Sequence, residues 1–287
     1  MGAAIGNVLR HNGVDVVTSL AGRSDLSRLR ADEAGIRDAG SVDAVVQESA
    51  VVISVLVPSE AVGIAEEIAS AMHRAGARPV FADCNAIAPQ TMARIATLIR
   101  DTRATCVDGG IIGSPPKPEG KSNGRIYCSG PDTALFESLG SYGLDVRRVG
   151  PEIGQASGLK MVYAASTKGT TALWTELLVA AKAMGLFDAL MAELKPDKNE
   201  ARRQIIGTVP EMPRRARRWV GEMEEIALTF SHLGMTPKLL EGAADIYRMV
   251  GATHLADQTS READPELDAM LEVLAEALRA GSIRKEG

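Results

Sequence analysis

The first half of this chain alternates apolar, β-branched runs with amphipathic stretches, and this alternation constrains the fold more than any other feature. The predicted strands cover residues 14–20, 51–57, 80–83, 105–108, 125–129 and 145–148. Helical segments separate them, notably 59–75 and 89–98. Continuous Val/Ile runs joined by helices are typical of a mostly parallel sheet covered by helices on both faces. We therefore predict a doubly wound, Rossmann-like α/β fold for this half.

Strand signals end near Gly150, and the rest of the chain has helical periodicity. The predicted helices cover residues 155–186, 188–196, 198–206, 212–233, 236–250 and 265–279. The first is about 30 residues long, which is unusual for a helix in a globular protein and suits a connection between domains. We predict a Rossmann-like domain over 1–150 and an all-α domain over 151–287 that begins with this long interdomain helix.

Composition excludes several classes of partner. The 287 residues are 45% apolar and carry a net charge of −5 with both signs spread along the chain, which argues against nucleic-acid binding. No apolar run approaches the roughly 20 residues of a membrane span, and there is no signal peptide, so we expect a cytoplasmic protein without a membrane partner. Three scattered cysteines without CxxC spacing indicate reduced, buried thiols. The four histidines lie far apart and predict no metal site.

The chain opens with a predicted helix from Gly2, followed by a strand and then by Arg23 and Ser24. Helix, strand and arginine match the last two-thirds of a dinucleotide-binding βαβ unit. Such a unit begins with a strand and a Gly-x-Gly-x-x-Gly loop, of which only the third glycine, Gly2, is present. We therefore expect an N-terminally truncated sheet. Either the start lies at an internal methionine, or the protein lacks the loop that holds a pyrophosphate.

Arg23 bears on the choice of cofactor. An acidic residue at the end of the second strand of such a unit would bind the ribose 2′-hydroxyl of NAD. Here Gly22 leaves room for a 2′-phosphate, and Arg23 offers it a guanidinium group. We predict NADP rather than NAD. The alternative is that Arg23 is an ordinary surface residue in a loop.

A second constellation runs from Gly154 to Lys160. The small residues at 154, 156, 157 and 158 would let the start of a helix approach another element closely. Lys160 then projects from the first turns, where the helix dipole and desolvation in a cleft would lower an ammonium pKa toward the acid–base range. The alternative is a solvated surface lysine. Tyr163 and Lys168 are five residues apart, which does not match the Tyr-x-x-x-Lys spacing of short-chain dehydrogenases.

The arginine cluster at 214–218 has two interpretations. It could bind a phosphate or a carboxylate, or it could form a solvated helix face balanced by Glu222, Glu224 and Glu225. We favour the solvated face, because isolated surface charges say little about function.

Several of these segments together resemble the β-hydroxyacid dehydrogenase superfamily, which includes 6-phosphogluconate and 3-hydroxyisobutyrate dehydrogenases and the imine reductases. The resemblance covers nearly the whole chain. It rests on matches to the family's motifs at Gly22–Ser24, Val57–Pro58, Asp83–Pro89, Asp108–Ser114 and Gly154–Lys160. The helical half resembles a lesser-known branch of this superfamily, whose C-terminal domain is described only as phosphogluconate-dehydrogenase-like.

The resemblance implies roles for individual residues. Lys160 matches the lysine that donates and accepts a proton. The implied cofactor-binding residues are Gly2, Arg23, Ser24, Val57, Pro58 and Asn85. The implied substrate-binding residues are Gly113, Ser114, Tyr163 and Ala164. The resemblance also implies a homodimer formed through the helical half.

The chain departs from the family pattern at several site positions. Four residues after the lysine the family has Asn, and here it is Ala164; the substrate-loop serine is Ile112, and a later family lysine is Glu222. These changes predict a drier pocket with fewer partners for an anionic substrate. We expect an NADP-dependent oxidoreductase acting on a small hydroxy or carbonyl compound. The alternatives are an imine reductase-like enzyme, or a cofactor-poor binding or assembly protein.

Overall fold

A computed structural model of the chain describes residues 1–117, 124–194, 200–259 and 262–279. The chain forms two compact units, Met1–Tyr163 and Ala164–Gly287. This division falls within the predicted segment 155–186. Residues 118–123, within the glycine- and proline-rich stretch 113–124, lie outside the described residues, as do residues 280–287.

The described residues of the first unit form seven strands, six helices and all but the last residue of a seventh helix. The strands are β1 (Val17–Thr18), β2 (Arg37–Asp38), β3 (Val51–Ser54), β4 (Val80–Asp83), β5 (Cys106–Ile112), β6 (Arg125–Ser129) and β7 (Asp145–Gly150). The helices are α1 (Gly2–His11), α2 (Asp25–Glu33), α3 (Val42–Glu48), α4 (Ala61–Ala75), α5 (Pro89–Asp101), α6 (Ala134–Glu137) and α7 (Gln155–Ala164). Short 3₁₀ helices cover Pro58–Glu60 and Ser138–Tyr142.

The strands form two sheets. β1 and β2 pair in parallel as a two-stranded sheet, and the other strands form a five-stranded sheet in the order β3-β4-β5-β6-β7. Every pairing in the larger sheet is parallel except that between β5 and β6. This confirms the predicted mostly parallel, Rossmann-like sheet. Strand β2 is an element that the sequence did not indicate, because its two residues are charged and exposed.

Apolar side chains cover both faces of the larger sheet. One core packs α3, α4 and α5 around residues such as Phe81, Ile95 and Ile99, and the other packs α1 against Ala82, Val107 and related residues. Phe81 and Ala82 are neighbours on one strand, so they point to opposite faces and each enters a different core. The continuous apolar composition of the strands follows from this two-sided burial.

The second unit is helical. A π-helical turn covers Ala165–Gly169, followed by α8 (Thr170–Ala183), α9 (Phe187–Glu193), α10 (Glu200–Thr208), α11 (Pro213–His232), α12 (Lys238–Gly251) and α13 (Leu267–Arg279), with a 3₁₀ helix at His254–Asp257. This confirms the predicted all-α C-terminal region. None of the helices in the described ranges combines the length and apolar character that a membrane span requires.

Candidate active site

The candidate site lies at the carboxyl edge of the larger sheet, where β3 and β4 end side by side and β5 continues to Ile112. Asp83 closes β4 and is in register with Asp108 of β5. Both carboxyl groups are completely buried. Open parallel sheets place ligands beyond this edge, so the side chains that follow these strands are the first candidates for binding and chemistry.

Asp108 binds the beginning of helix α7. Its Oδ2 accepts hydrogen bonds from the backbone N–H groups of Gly154 (2.8 Å), Ala156 (3.0 Å) and Ser157 (3.1 Å). The hydroxyl of Ser157 donates to Oδ1. The first N–H groups of a helix lack partners within the helix, so this buried carboxylate satisfies them. Gly154 has a φ of +99°, a backbone conformation that favours glycine.

Lys160 lies one helical turn beyond this contact, against β5. A Cβ placed on Gly110 would lie 2.7 Å from the carbonyl oxygen of Ala156 and 3.2 Å from Cβ of Lys160. The bare backbone of Gly110 therefore lets α7 lie directly on the strand. Lys160 is half-buried. Gly113 and Ser114, the predicted substrate-binding pair, follow the end of the same strand and are exposed.

The close approach predicted for the small residues of α7 is present. An ideal Cβ on Gly154 would lie 3.2 Å from Cβ of Pro89, the first residue of α5, and one on Gly158 would lie 3.6 Å from Cγ of Pro89. Ala156 and Ser157 are buried. The start of α7 is thus packed between β5 and the start of α5.

Asn85 is buried beneath the site, where its side chain forms hydrogen bonds with neighbouring elements. Its Nδ2 donates to Oγ of Ser54 and to Oδ2 of Asp83, both at 2.8 Å, and its Oδ1 accepts from the backbone N–H of Leu56. Both amide hydrogens are therefore used, and only 2% of the residue is exposed. Asn85 thereby links the ends of β3 and β4 by hydrogen bonds and holds the segment that follows β3 in place. Burial raises the pKa of the Asp83 carboxyl to about 6.

A groove of about 410 Å³ lies beside the end of β3. Arg23 lines it, and Gly22, Gly40 and Gly63 leave open space, since a Cβ at any of these glycines would meet no atom within 4 Å. Leu56 forms part of the wall. Acidic residues also line the groove: Asp43, Glu60 and Glu67. The arginine is exposed.

The other predicted cofactor residues lie near the groove or at helix starts. Gly2 begins α1, and a Cβ there would lie 3.7 Å from Cβ of Val55, the residue before Leu56. Val57 is exposed, and Pro58 begins a 3₁₀ helix. Ser24 is the N-cap of α2, and its Oγ accepts the backbone N–H of Ser27 at 3.3 Å.

Two predicted substrate residues lie near the end of α7. Tyr163 is 43% exposed and sits three residues after Lys160, on the same side of the helix. Ala164, the last residue of α7, is buried and contributes only a methyl group.

The three cysteines are free thiols, and burial weakens their acidity. Burial raises the pKa of Cys106 to about 12 and that of Cys128 to about 11, and it raises the pKa of Cys84 well above its usual value. A thiol must ionise to act as a nucleophile, so none of the three is activated for covalent chemistry near neutral pH.

The helical unit contains a buried ion pair that the sequence did not indicate. Lys168, in the π-helical turn, donates to Glu222 of α11, and only 14% and 7% of these side chains are exposed. The hydroxyl of Tyr247 donates to the carbonyl oxygen of Lys168, and the ammonium lies 5.5 Å from the centre of the Trp219 ring. The assignment of Glu222 to a solvated face is therefore wrong. A charged residue in an arginine-rich helix gives no sign of a partner 54 positions away.

Comparisons with known proteins agree with this architecture. A domain family of unknown function, DUF1932, matches residues 181–250. The conserved protein MTH1747, whose structure is described as revealing similarity with 3-hydroxyacid dehydrogenases, is 31% identical. The match covers 88% of this chain and 95% of that one, with a TM-score of 0.62.

Two enzymes share the fold at lower identity. The 3-hydroxyisobutyrate dehydrogenase of Mycobacterium tuberculosis, solved with L-serine, is 18% identical; the match covers 96% of this chain and 95% of that one, with a TM-score of 0.66. The imine reductase of Streptomyces aurantiacus is 17% identical over 94% of each chain, with a TM-score of 0.54.

Proposed function

We propose that this chain, which belongs to the β-hydroxyacid dehydrogenase superfamily, is an NADP-dependent oxidoreductase that acts on a small hydroxy or carbonyl compound. One observation carries the proposal: Lys160 lies against the same strand, β5, that leads into the exposed Gly113–Ser114 segment. A proton-transferring group and a backbone segment able to bind a substrate are thereby brought to one edge of the sheet.

The residues around the groove fit a nicotinamide dinucleotide carrying a 2′-phosphate. Gly22 and Gly40 leave space there, and Arg23 offers a planar guanidinium fork suited to phosphate. The start of α1 at Gly2 provides backbone N–H groups of the kind that bind a diphosphate. When bound, this cofactor supplies or accepts a hydride. Asn85 would act indirectly, by holding Leu56 in the groove wall.

In this proposal Lys160 moves the proton. In the reductive direction its ammonium donates to the substrate oxygen as negative charge develops there, and in the oxidative direction the neutral amine accepts the hydroxyl proton. Gly113 and Ser114 would position the substrate, and Tyr163 and Ala164 would shape the pocket. Exclusion of water from the site would strengthen each of these interactions.

Imine reduction is the second candidate function. The carboxylate of a 3-hydroxyacid needs cationic or hydrogen-bonding partners, yet Ile112 and Ala164 are buried and apolar. A neutral imine carbon needs fewer such partners, and the imine reductase named above shares the fold. In that reaction Lys160 would protonate nitrogen in place of oxygen.

The proposal includes a cytoplasmic homodimer that binds no nucleic acid and no membrane. Helix α8 and its C-cap residue Met184 support self-association, because Leu173, Leu177 and Met184 form an exposed apolar stripe at helical spacing. The three free thiols suit a reducing compartment.

Titration and turnover of Lys160→Ala test the function. Purified protein is titrated with NADPH and with NADH by nucleotide fluorescence, and turnover is then measured on 3-hydroxyacids, the matching carbonyl compounds and cyclic imines. We expect tight binding of NADPH, and a fall in kcat of roughly 100-fold or more in Lys160→Ala with little change in NADPH affinity.

The substrate panel separates the two candidate functions. Turnover of cyclic imines without turnover of 3-hydroxyacids would favour the imine reductase. Wild-type turnover in Lys160→Ala would refute the role of the lysine, and failure to bind either nucleotide would refute the oxidoreductase.

A further inference from the structure

We propose that Asp108 positions Lys160, by binding the first backbone N–H groups of α7 and holding that helix in one place on β5. The inference rests on the proposed catalytic role of Lys160. It assigns Asp108 a task distinct from contact with substrate or cofactor, since the carboxyl group is completely buried.

The carboxylate binds several donors of α7 together. Four donors at the helix start reach it: the N–H of Gly154, the N–H of Ala156, and both the N–H and the hydroxyl of Ser157. A negative charge at this end also interacts favourably with the helix dipole. The carboxylate thus determines the position of the first turn of α7 along the helix axis.

Strand β6 braces the carboxylate from the other side. Ser129, the antiparallel register partner of Asp108, donates its hydroxyl to Oδ2 at 2.9 Å. The same oxygen of Ser129 accepts the N–H of Ala156 at 3.0 Å. The helix start is therefore tied to two neighbouring strands, and Asp108 cannot turn away without breaking bonds to both.

A second contact, between Gly110 and α7, fixes where Lys160 lies. Residues 108 and 110 of β5 point to the same face of the sheet. Residues 156 and 160 of α7 lie on the same face of the helix. Asp108 binds the N–H of Ala156, while Gly110 lies against both the carbonyl oxygen of Ala156 and Cβ of Lys160. Two points of attachment set the rotation of the helix as well as its height, so they set the direction from which the lysine side chain starts.

A positioning role and a purely structural role predict different results. Loss of a buried hydrogen bond anywhere in the unit lowers stability. Only loss of the anchor should also displace Lys160 and slow the chemical step, because small misplacements of a catalytic group can cost roughly 100-fold in rate.

Asp108→Asn, which keeps the shape, removes the charge and replaces one acceptor oxygen with a donor NH2 group, is the main variant. We expect faster amide hydrogen exchange over residues 151–161, a kcat lower by roughly 10- to 100-fold, and an NADPH KM within about twofold of wild type. Ser157→Ala removes only one hydrogen bond to the carboxylate. Its exchange rate and kcat should lie between those of wild type and Asp108→Asn, so it provides a second test if Asp108→Asn folds poorly.

Thr102→Val is the matched control. Thr102 is buried and precedes the opposite end of β5. Its hydroxyl donates to the carbonyl oxygen of Ile99 and accepts a hydrogen bond from the backbone N–H of Ala104. This variant should lose stability but keep wild-type kcat and wild-type exchange over 151–161.

The outcomes separate cleanly. Unchanged exchange over 151–161 in Asp108→Asn, or faster exchange with unchanged kcat, would overturn the positioning role. If the wild-type protein shows no oxidoreductase activity, the proposed function fails by itself. The position of Lys160 is then read from its acylation rate, measured by mass spectrometry: a rate altered in Asp108→Asn but not in Thr102→Val supports the inference, and equal rates refute it.

Discussion

Asp83 and Asp108 lie opposite each other on neighbouring parallel strands, and both carboxyl groups are buried. Their surroundings differ. Asp108 accepts hydrogen bonds from the start of α7 and from Ser129, whereas Asp83 accepts from the backbone and side chain of Asn85. Desolvation, with a further contribution from the charge of Asp108, raises the pKa of Asp83 to about 6.

Asp83 therefore makes stability depend on pH. Its folded-state pKa, about 6, lies above its ordinary value of 3.8, so the folded protein binds more protons in the interval between them. The stabilisation is fully present below pH 3.8 and is lost as pH rises through 6. Between pH 4.5 and 7.5 the free energy of unfolding of wild type should fall by about 2 kcal/mol relative to that of Asp83→Asn.

Urea unfolding of both proteins at these two pH values measures the effect. Any constant cost of the asparagine cancels in the comparison, as do the shared carboxyl groups that do not interact with Asp83. Stability profiles that run parallel across this interval would contradict the raised pKa.

The strands were predictable because they are continuous apolar runs buried on both faces, as Phe81 and Ala82 show. The partners of Asp108 were not predictable in this way. The donors at the start of α7 lie 46 to 49 residues later, and only the folded arrangement of β5 and α7 brings them to Asp108. The predicted strand over 14–20 is shorter in the structure, where β1 covers only Val17–Thr18.

Motifs located several site positions without revealing what their side chains do. Asn85 was expected at the cofactor, and the fold places it in the interior with its amide hydrogens already used. Glu222 was missed for a related reason, since its ion pair with Lys168 depends on how α11 packs against the π-helical turn. Periodicity identifies a helix face, but burial of a charge depends on the partner.

Gly110→Ala should disturb the contact between β5 and α7. The new methyl group would approach the carbonyl oxygen of Ala156 to 2.7 Å, which backbone atoms cannot accommodate without a shift. We expect a loss of about 1–3 kcal/mol in stability, as for other overpacked sites, together with lower kcat. Gly140→Ala is the control, because a Cβ there meets no atom within 4 Å. Thermal unfolding and turnover measure both effects, and equal behaviour of the two variants would argue against the close contact.

Arg23→Ala should change cofactor preference. Loss of a charge-assisted bond to a 2′-phosphate is worth about 1.5–3 kcal/mol, so the NADPH KM should rise by roughly 10- to 100-fold while that for NADH stays nearly constant. Arg94→Ala is the control: it removes an exposed arginine of α5 that pairs with Glu66 of α4. It should change neither the NADPH KM nor the NADH KM. Equal losses for both nucleotides in Arg23→Ala would mean that this residue does not read the phosphate.

The ion pair between Lys168 and Glu222 should be costly to break from one side. Burial lowers the pKa of Lys168 even beside its carboxylate partner. Glu222→Gln leaves a buried ammonium without its counter-charge, and we expect a loss of about 3–5 kcal/mol. The double variant Lys168→Met/Glu222→Leu should recover much of that loss. Arg248→Ala, which removes exposed pairs with Glu224 and Asp245, should cost less than about 1 kcal/mol. A loss of stability in the double variant equal to the sum of the losses in the two single variants would contradict direct coupling between Lys168 and Glu222.

Leu177→Glu should dissociate the proposed homodimer. Leu173, Leu177 and Met184 are 54%, 44% and 65% exposed, and their spacing aligns one face of α8 with its C-cap residue Met184. A charge in the middle of a desolvated apolar contact carries a large penalty, so association should weaken by at least 100-fold. Light scattering during gel filtration measures the mass, with Glu176→Gln, on the adjacent exposed position, as the control. A wild-type monomer, or a dimer that survives Leu177→Glu, would show that this stripe is not the interface.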